Sequence, residues 1–249
     1  KTSTNFLNTA LKPALKKDII SFSSLSAYFT VDSLILLSEE LDSFFTRDGK
    51  LRIVVGVQQP DKQLLESTQL KLDEKDIKKF KKKMRTDASL LQDEFKKAKL
   101  AVLAFLIQDG KLEVKIAQYT HGDFHPKTYI LEDSKRNIVV AEGSGNFTTR
   151  GLSRNFEKFS LFTSWGKGKD FIFPEDGSED SITQFENIWN GKEKDLLVEE
   201  LDSAFAKKLL EMMNISSRES VQNTLSLFKD SLLKRLKELL KSSPFFAQF

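Results

Sequence analysis

The chain has 249 residues, of which 39% are hydrophobic and 30% are charged, enough for one sizeable domain or for a domain with an appendage. Its net charge of +3 is too small to indicate nucleic-acid binding by itself, and the absence of cysteine excludes disulfides, thiolate catalysis and cysteine-ligated zinc. No apolar run is long enough to span a bilayer and no secretion signal opens the sequence, so we expect a cytoplasmic protein without a membrane partner.

The first part of the chain predicts helices and strands in alternation. Helical periodicity predicts a helix at 4–17, and the short apolar run at 18–29 predicts one or two strands. Leucine and phenylalanine at helical spacing predict a second helix that ends at residue 46, and the continuous apolar run at 51–57 is typical of a buried strand. Strand, helix and strand in this order favour a crossover within an α/β sheet.

Helical periodicity returns between residues 61 and 98, where the sequence has its densest basic run, at 75–85. Such a run is most often a solvated helix face, and the alternative is an edge that contacts phosphates. Under that alternative, Lys78 and Lys82 are candidate nucleic-acid contacts. The apolar run at 100–107 either continues the helix or forms a strand, because periodicity does not separate the two.

The sequence after residue 112 predicts strands joined by tight turns. Residues 112–119 alternate like a half-buried strand, the segments 127–132 and 137–142 predict a β-hairpin, and a last strand is predicted at 157–165. A loop is predicted at 166–180, followed by a helical tail with helices at 181–191, 195–213 and 217–241.

Together these elements predict an α/β fold with a mixed β-sheet flanked by helices and a C-terminal helical segment. We divide the chain into a domain at 1–175 and a helical tail at 176–249. Because the sequence stops in an apolar segment, we expect the tail to lead into a further region.

The two histidines of the sequence, His121 and His125, lie four residues apart, so histidine chemistry is confined to one place. His125 and Lys127 begin the first strand of the predicted hairpin, and residues two apart on a strand face the same side. We therefore expect an imidazole nucleophile beside a fixed positive charge. His121 is interpreted as a loop residue near that site.

A second candidate segment, Gly143-Ser144-Gly145-Asn146, follows the hairpin. Its glycines allow a tight turn that brings the backbone close to a ligand, and Asn146 offers amide donors. Glu157 begins the next predicted strand and is placed to orient a histidine.

The neighbouring cations and aromatic residues have two interpretations each. Arg150 and Arg154 either contact a nucleic-acid backbone or lie on a solvated surface. The aromatic residues of this region alternate into the predicted sheet, so they are interpreted as core and not as base-stacking platforms; they are Phe124, Tyr129, Phe147 and Phe156.

The order H-x-K, then G-S-x-N, then a glutamate resembles the phospholipase D superfamily, and most resembles its bacterial nucleases and restriction-type endonucleases with one motif per chain. The resemblance covers residues 1–175. It implies that a histidine attacks phosphorus to form a covalent phosphohistidine, while lysine and asparagine hold the phosphate oxygens. Those roles fall on His125, Lys127 and Asn146, with Ser144 as the motif serine and Glu157 as the orienting acid.

One departure from the family pattern concerns the acid that follows the lysine. The family motif continues H-x-K-x4-D, whereas this sequence has Glu132 at that position and Asp133 one residue later. The interval from the hairpin turn to Gly143 is also longer than usual. The roles of Glu132 and Asp133 are therefore left open.

The residues themselves suit phosphodiester cleavage without a cofactor. The reaction requires neutralised charge on the phosphoryl oxygens and a proton for the leaving alkoxide. A histidine nucleophile, a lysine and amide donors meet the first requirement without a metal. The sequence has no tight Asp/Glu constellation typical of two-metal nucleases. We therefore expect a metal-independent hydrolase.

The resemblance implies that a working site needs two histidines, and the motif occurs once in this sequence. A two-fold dimer brings two equivalent motifs together. We therefore predict a homodimer with one composite site that cleaves nucleic acid, with double-stranded DNA as the expected partner. By analogy with the N-terminal domains of larger restriction or helicase proteins, we expect a role in restriction of foreign DNA and a fused or associated helicase.

Two other functions remain open. A phospholipid headgroup phosphodiesterase or transferase predicts two motifs in one chain or an aromatic-rich membrane face, and the sequence has neither. A catalytically silent DNA-binding module has no need of an intact set of motif residues, which here comprises His125, Lys127, Asn146 and Glu157.

Overall fold

The computed structural model describes residues 6–56, 94–215 and 219. Its strands are β1 (Ile19–Ser26), β2 (Lys50–Gly56), β3 (Leu112–Tyr119), β4 (Lys127–Asp133), β5 (Ile138–Gly143), β6 (Phe159–Thr163) and β7 (Leu196–Glu200). Its α-helices are α1 (Lys12–Leu15), α2 (Val31–Leu36), α3 (Ser38–Thr46), α4 (Glu94–Gln108), α5 (Lys169–Ile172), α6 (Ser181–Trp189) and α7 (Ser203–Met212).

The strands form one sheet in the order β6-β5-β4-β1-β2-β3-β7. Strands β1, β2 and β3 are parallel neighbours, while β4, β5, β6 and β7 pair antiparallel to their neighbours. Helices lie on both faces, as a sheet with parallel strands at its centre requires. The prediction of an α/β fold with a mixed sheet flanked by helices is confirmed.

Two apolar clusters fill the spaces between the sheet and its helices. The larger cluster joins the sheet to α1, α2, α3, α4 and α7 and contains the fully buried rings of Phe22, Tyr129 and Phe147. The smaller cluster lies on the opposite face, where α5 and α6 cover Leu25 and Val54. The predicted burial of Tyr129 and Phe147 is confirmed, and Phe124 is half-buried against the smaller cluster.

The prediction that Phe156 belongs to the core is wrong, because its side chain is 89% exposed. It lies outside β6, which begins at Phe159, so strand alternation does not apply to it. Residues 100–107 belong to helix α4, which settles the choice between helix and strand.

Arg52 of β2 holds helix α6 against the central strands of the sheet. The guanidinium lies 4.8 Å from the ring centroid of Phe185 and 5.4 Å from that of Trp189, and its Nη2 lies 2.7 Å from a carboxylate oxygen of Glu186. The same group donates to Ser23 Oγ of β1 through Nε. One arginine thereby joins two strands to three residues of a helix.

The prediction of a continuous helix at 195–213 is wrong for its first part, because residues 196–200 form strand β7. The free edge of β3 offers backbone groups that need partners, and pairing with β7 satisfies them despite the helical preference of leucine and glutamate. Residues beyond 175 therefore add strand β7 to the sheet and pack helices α6 and α7 against it. The loop predicted at 166–180 contains the short helix α5. The predicted helices at 61–93 and 217–241 lie outside the described residues, apart from residue 219.

Candidate active site

The candidate residues collect at one end of the sheet, where the parallel strands β1, β2 and β3 finish. We call it the carboxyl end of the sheet. Strand β4 begins there, because Ser26 at the end of β1 is paired with Lys127. Strand β5 ends and β6 begins there, because Gly143 is paired with Phe159. Ligands of open α/β sheets bind at this end.

His125 and Lys127 are in direct contact. Lysine Nζ lies 2.5 Å from His125 Nδ1 and 3.0 Å from Nε2, and it donates to the backbone oxygen of His125 at 2.8 Å. An ammonium donates only to a ring nitrogen that carries no proton. The contact places the cation beside the imidazole, and the tautomer of the ring decides which nitrogen accepts.

The two members of the pair differ in exposure. His125 is exposed, whereas Lys127 is 8% exposed. Burial lowers the pKa of the Lys127 ammonium below its ordinary value, and the nearby Glu157 carboxylate opposes that shift. The pair thus combines an accessible imidazole with a cation that water screens weakly.

Asn146 is held by the end of β1 and by the residues that follow it. Its Oδ1 accepts from the backbone nitrogen of Tyr28 at 3.2 Å and from Ser26 Oγ at 3.4 Å. Ser26 Oγ also accepts from the buried backbone nitrogen of Phe147 at 2.8 Å. With its oxygen held, Asn146 keeps its amide nitrogen as the donor end.

Sequence reasoning missed Ser26 and Tyr28. The ring of Tyr28 lies edge-on to the His125 imidazole, with 6.2 Å between the ring centroids. A signal was present, because Ser23 and Ser26 lie in a predicted strand of apolar character, where a hydroxyl that becomes buried needs a partner. That signal indicates polar contacts without identifying the partner.

Ser144 and Glu157 are joined by a short hydrogen bond from the serine hydroxyl to the carboxylate. The second carboxylate oxygen of Glu157 accepts from Asn155 Nδ2 at 3.0 Å. Within the described residues, no hydrogen bond joins Glu157 to His125. The glutamate lies close enough to Lys127 to act on its pKa, and its role as the acid that orients a histidine stays a prediction.

The glycines of the segment are explained by packing against β6. A Cβ at Gly143 would collide with the backbone oxygen of Lys158, and one at Gly145 would collide with the Phe159 ring. The hydroxyl of Tyr129 donates to the backbone oxygen of Gly145 at 2.8 Å, which anchors the same segment from the core.

The acids at the end of β4 lie at the opposite end of that strand from Lys127. Glu132 pairs with Arg136 at 3.1 Å. The Asp133 carboxylate accepts from the backbone nitrogens of Lys135 and Asn137, each at 2.8 Å. Both acids therefore stabilise the hairpin turn, and neither reaches the histidine and lysine.

The remaining predicted residues lie around the site or outside the described part of the chain. His121 is exposed; its Nε2 lies 3.6 Å from Asp195 Oδ2, and its ring lies edge-on to Tyr119. Arg150 and Arg154 are exposed on a π-helical turn that follows Asn146. Lys78 and Lys82 lie outside the described residues.

Two features are absent from the described residues. No cluster of three or more histidine, aspartate or glutamate side chains is arranged to hold a metal ion. No helix there combines the length and the apolar character needed to cross a membrane.

No family model matches this chain, and no curated protein matches it. Among solved structures, it is similar to the phosphatidylserine synthase of Haemophilus influenzae Rd KW20, with 16% identity, a TM-score of 0.40, and coverage of 92% of this chain and 44% of that one. It is also similar to yeast tyrosyl-DNA phosphodiesterase, with 15% identity, a TM-score of 0.34, and coverage of 79% and 37%. The chain thus spans less than half the length of these structures.

Proposed function

We propose that this chain is a phospholipase D-type phosphodiesterase that cleaves nucleic acid, with double-stranded DNA as the expected substrate, through a covalent phosphohistidine on His125. The contact between the exposed His125 imidazole and the buried Lys127 ammonium carries the proposal. A nucleophile with a free lone pair and a weakly screened cation are the two groups that attack on a phosphodiester needs first.

The first step forms a bond between a His125 nitrogen and phosphorus and breaks the bond from phosphorus to the leaving oxygen. Lys127 and the Asn146 amide hold the non-bridging oxygens, on which charge develops. The leaving alkoxide takes a proton from a second imidazole. That imidazole, now neutral, removes a proton from water in the second step, and the hydroxide releases the phosphate from His125.

The second imidazole is proposed to be His125 of a second copy of the chain. His121 is directed towards Asp195 and Tyr119, so it is not arranged to face His125. His125 itself is exposed and available to a symmetric partner. We therefore propose a homodimer with one composite site at its axis.

The decisive experiment is incubation with plasmid, single-stranded DNA, RNA and phospholipid vesicles in excess chelator, with His125→Ala alongside. Nucleic acid should be cleaved by the natural chain and not by the variant. Activity that disappears in chelator and returns with magnesium or manganese would contradict the mechanism. Headgroup release from the vesicles without nucleic-acid cleavage would favour the lipid function instead.

The shared site is tested by mixing natural and His125→Ala subunits. A mixed dimer holds one histidine, so it should be close to inactive, and activity should fall as the square of the natural fraction. A linear fall would mean that each chain works alone.

We further propose that the protein acts in the cytoplasm in restriction of foreign DNA, with a fused or associated helicase. This placement rests on the single-motif resemblance. The proposed backbone contacts are Lys78, Lys82, Arg150 and Arg154. Neutralising them should flatten the salt dependence of DNA binding, and an unchanged slope would assign them to a solvated surface.

A further inference from the structure

A cleft of about 230 Å³ opens beside His125 at the carboxyl end of the sheet. It lies between the ends of β3 and β7 and helix α6, and His125 forms part of its wall. Its apolar lining comes from Phe124, Ile188 and Leu196, and the ring of Tyr119 is 38% exposed there. The cleft is therefore a space with aromatic walls next to the proposed nucleophile.

The charges around the cleft disfavour a phosphate. Two carboxylates, those of Asp123 and Glu193, line it against one ammonium, that of Lys194. This excess of negative charge repels an anion, and the buried cation Lys127 is not among the residues that line the cleft. A neutral flat group is the ligand that the lining suits.

We propose that the cleft binds the nucleobase of the nucleotide next to the scissile phosphate, with preference for bases that carry an exocyclic amino group. This inference rests on the proposed function. Tyr119 provides a stacking surface, and stacking on an aromatic side chain is strong for any base. The carboxylates and the Gln184 amide provide acceptors for the amino group of cytosine, adenine or guanine.

A base within a duplex has its faces covered by its neighbours in the stack, so it cannot stack on Tyr119. The bound nucleotide must therefore be unpaired or turned out of the stack. The expected consequence is faster cleavage of single-stranded or locally opened substrate than of closed duplex.

The test uses labelled pentamers of deoxycytidine, of thymidine, and of abasic nucleotides. Cleavage is measured with the natural chain, and binding with the His125→Ala chain. The deoxycytidine pentamer should be favoured over the thymidine pentamer about tenfold. Tyr119→Ala should weaken binding of deoxycytidine about tenfold and leave the abasic pentamer unchanged.

Three further variants control this result. Tyr119→Phe keeps the ring and should keep the affinity, which separates stacking from a folding defect. Phe173→Ala removes a ring of similar exposure that does not line the cleft, and should change nothing. Glu193→Gln replaces an acceptor with a group that also donates, and should reduce the preference for deoxycytidine.

An equal loss on the abasic pentamer, or no loss on any pentamer, would overturn the inference. A natural chain that cleaves all three pentamers equally well refutes the base site and leaves the phosphodiesterase standing. A chain that cleaves none of them, but whose binding depends on the base and on Tyr119, refutes the hydrolysis and supports the base site.

Discussion

The two ends of the β4–β5 hairpin are both polar, but the hydrogen-bonded residues are close in sequence at one end and distant in sequence at the other. At the turn, Asp133 accepts hydrogen bonds from Lys135 and Asn137, and Glu132 pairs with Arg136, so every partner lies within four residues. At the open end, Asn146 is held by Tyr28, which is 118 residues away in the chain.

A local network forms wherever its few residues adopt a turn, whereas a long-range network exists only when the sheet has assembled. The turn therefore contributes stability, and its polar groups stay in water. At the open end, the fold holds a lysine that is 8% exposed and an oriented amide in fixed positions. Such preorganisation is what the proposed electrostatic catalysis requires.

The strongest test of the difference between the two ends is to remove one lysine from each of them. Lys127→Met should reduce kcat by about 10²–10³, since that is the typical effect of losing one preorganised transition-state donor. Lys135→Met removes an exposed cation from the turn and should leave kcat unchanged. Cleavage rates of both variants under saturating substrate check the prediction; equal rates would remove Lys127 from the chemistry.

The pH dependence of kcat is a second test of the role of Lys127. Because burial lowers the pKa of Lys127, the ammonium loses its proton, and its hold on phosphate, at a lower pH than an exposed lysine does. Activity should therefore fall as the pH rises through that lowered pKa. Lys127→Arg keeps its charge in this range, so the alkaline limb of its kcat profile should move to higher pH. If the alkaline limb does not move, the group that titrates there is not Lys127.

The long-range contacts are tested at Ser26. Ser26→Ala leaves the buried backbone nitrogen of Phe147 without its acceptor, which should lower the free energy of unfolding by about 1–3 kcal/mol. Activity should also fall, because the Ser26 hydroxyl donates to the backbone oxygen of Tyr28 at 2.7 Å and lies 3.4 Å from Asn146 Oδ1, so its loss loosens both residues that position the Asn146 amide. Ser178→Ala is the matched control, since that hydroxyl contacts Asp176 two residues away. Denaturant unfolding of both variants gives the comparison.

The smallest effect is expected at the turn. Hydrogen bonds, first that from the Asn137 side chain, hold the pKa of Asp133 below its ordinary value. Its stabilising contribution is therefore complete above the ordinary carboxyl pKa and is lost as the pH falls through the lowered one. Asp133→Ala should lower the free energy of unfolding by about 1 kcal/mol at neutral pH, with no change in kcat. A large loss of kcat would restore Asp133 as the family's acid.

Much of the fold could be predicted because periodicity is a local property. The alternation at 112–119 and the hairpin around residues 133–136 are strands β3, β4 and β5 in the structure. Strand β7 could not be predicted in this way. Its leucines and glutamates suit a helix, and only the free edge of β3, brought near by folding, makes a strand of them.

The same distinction between local and long-range contacts applies to the candidate site. The sequence predicts the contact of His125 with Lys127 from their separation of two residues, although His125 lies just before β4, so that strand alternation is not its cause. The contacts of Ser26 and Tyr28 with Asn146 depend on where β1 ends in the sheet, and spacing carries no information about that. The motif predicts Glu157 by its position, whereas the contacts of Glu157 with Ser144 and Asn155 form only in the folded chain.

The contacts of Arg52 with helix α6 have a consequence for a ligand of the cleft beside His125. Arg52 fixes Phe185, Glu186 and Trp189 against the strands, and Gln184 and Ile188 of the cleft wall belong to the same helix. A wall that is already rigid loses little conformational entropy when a ligand arrives. For the base proposed to bind there, differences in affinity should then appear mainly in the dissociation rate, as they do among closely related complexes. A base that suits the cleft is distinguished by how long it stays there.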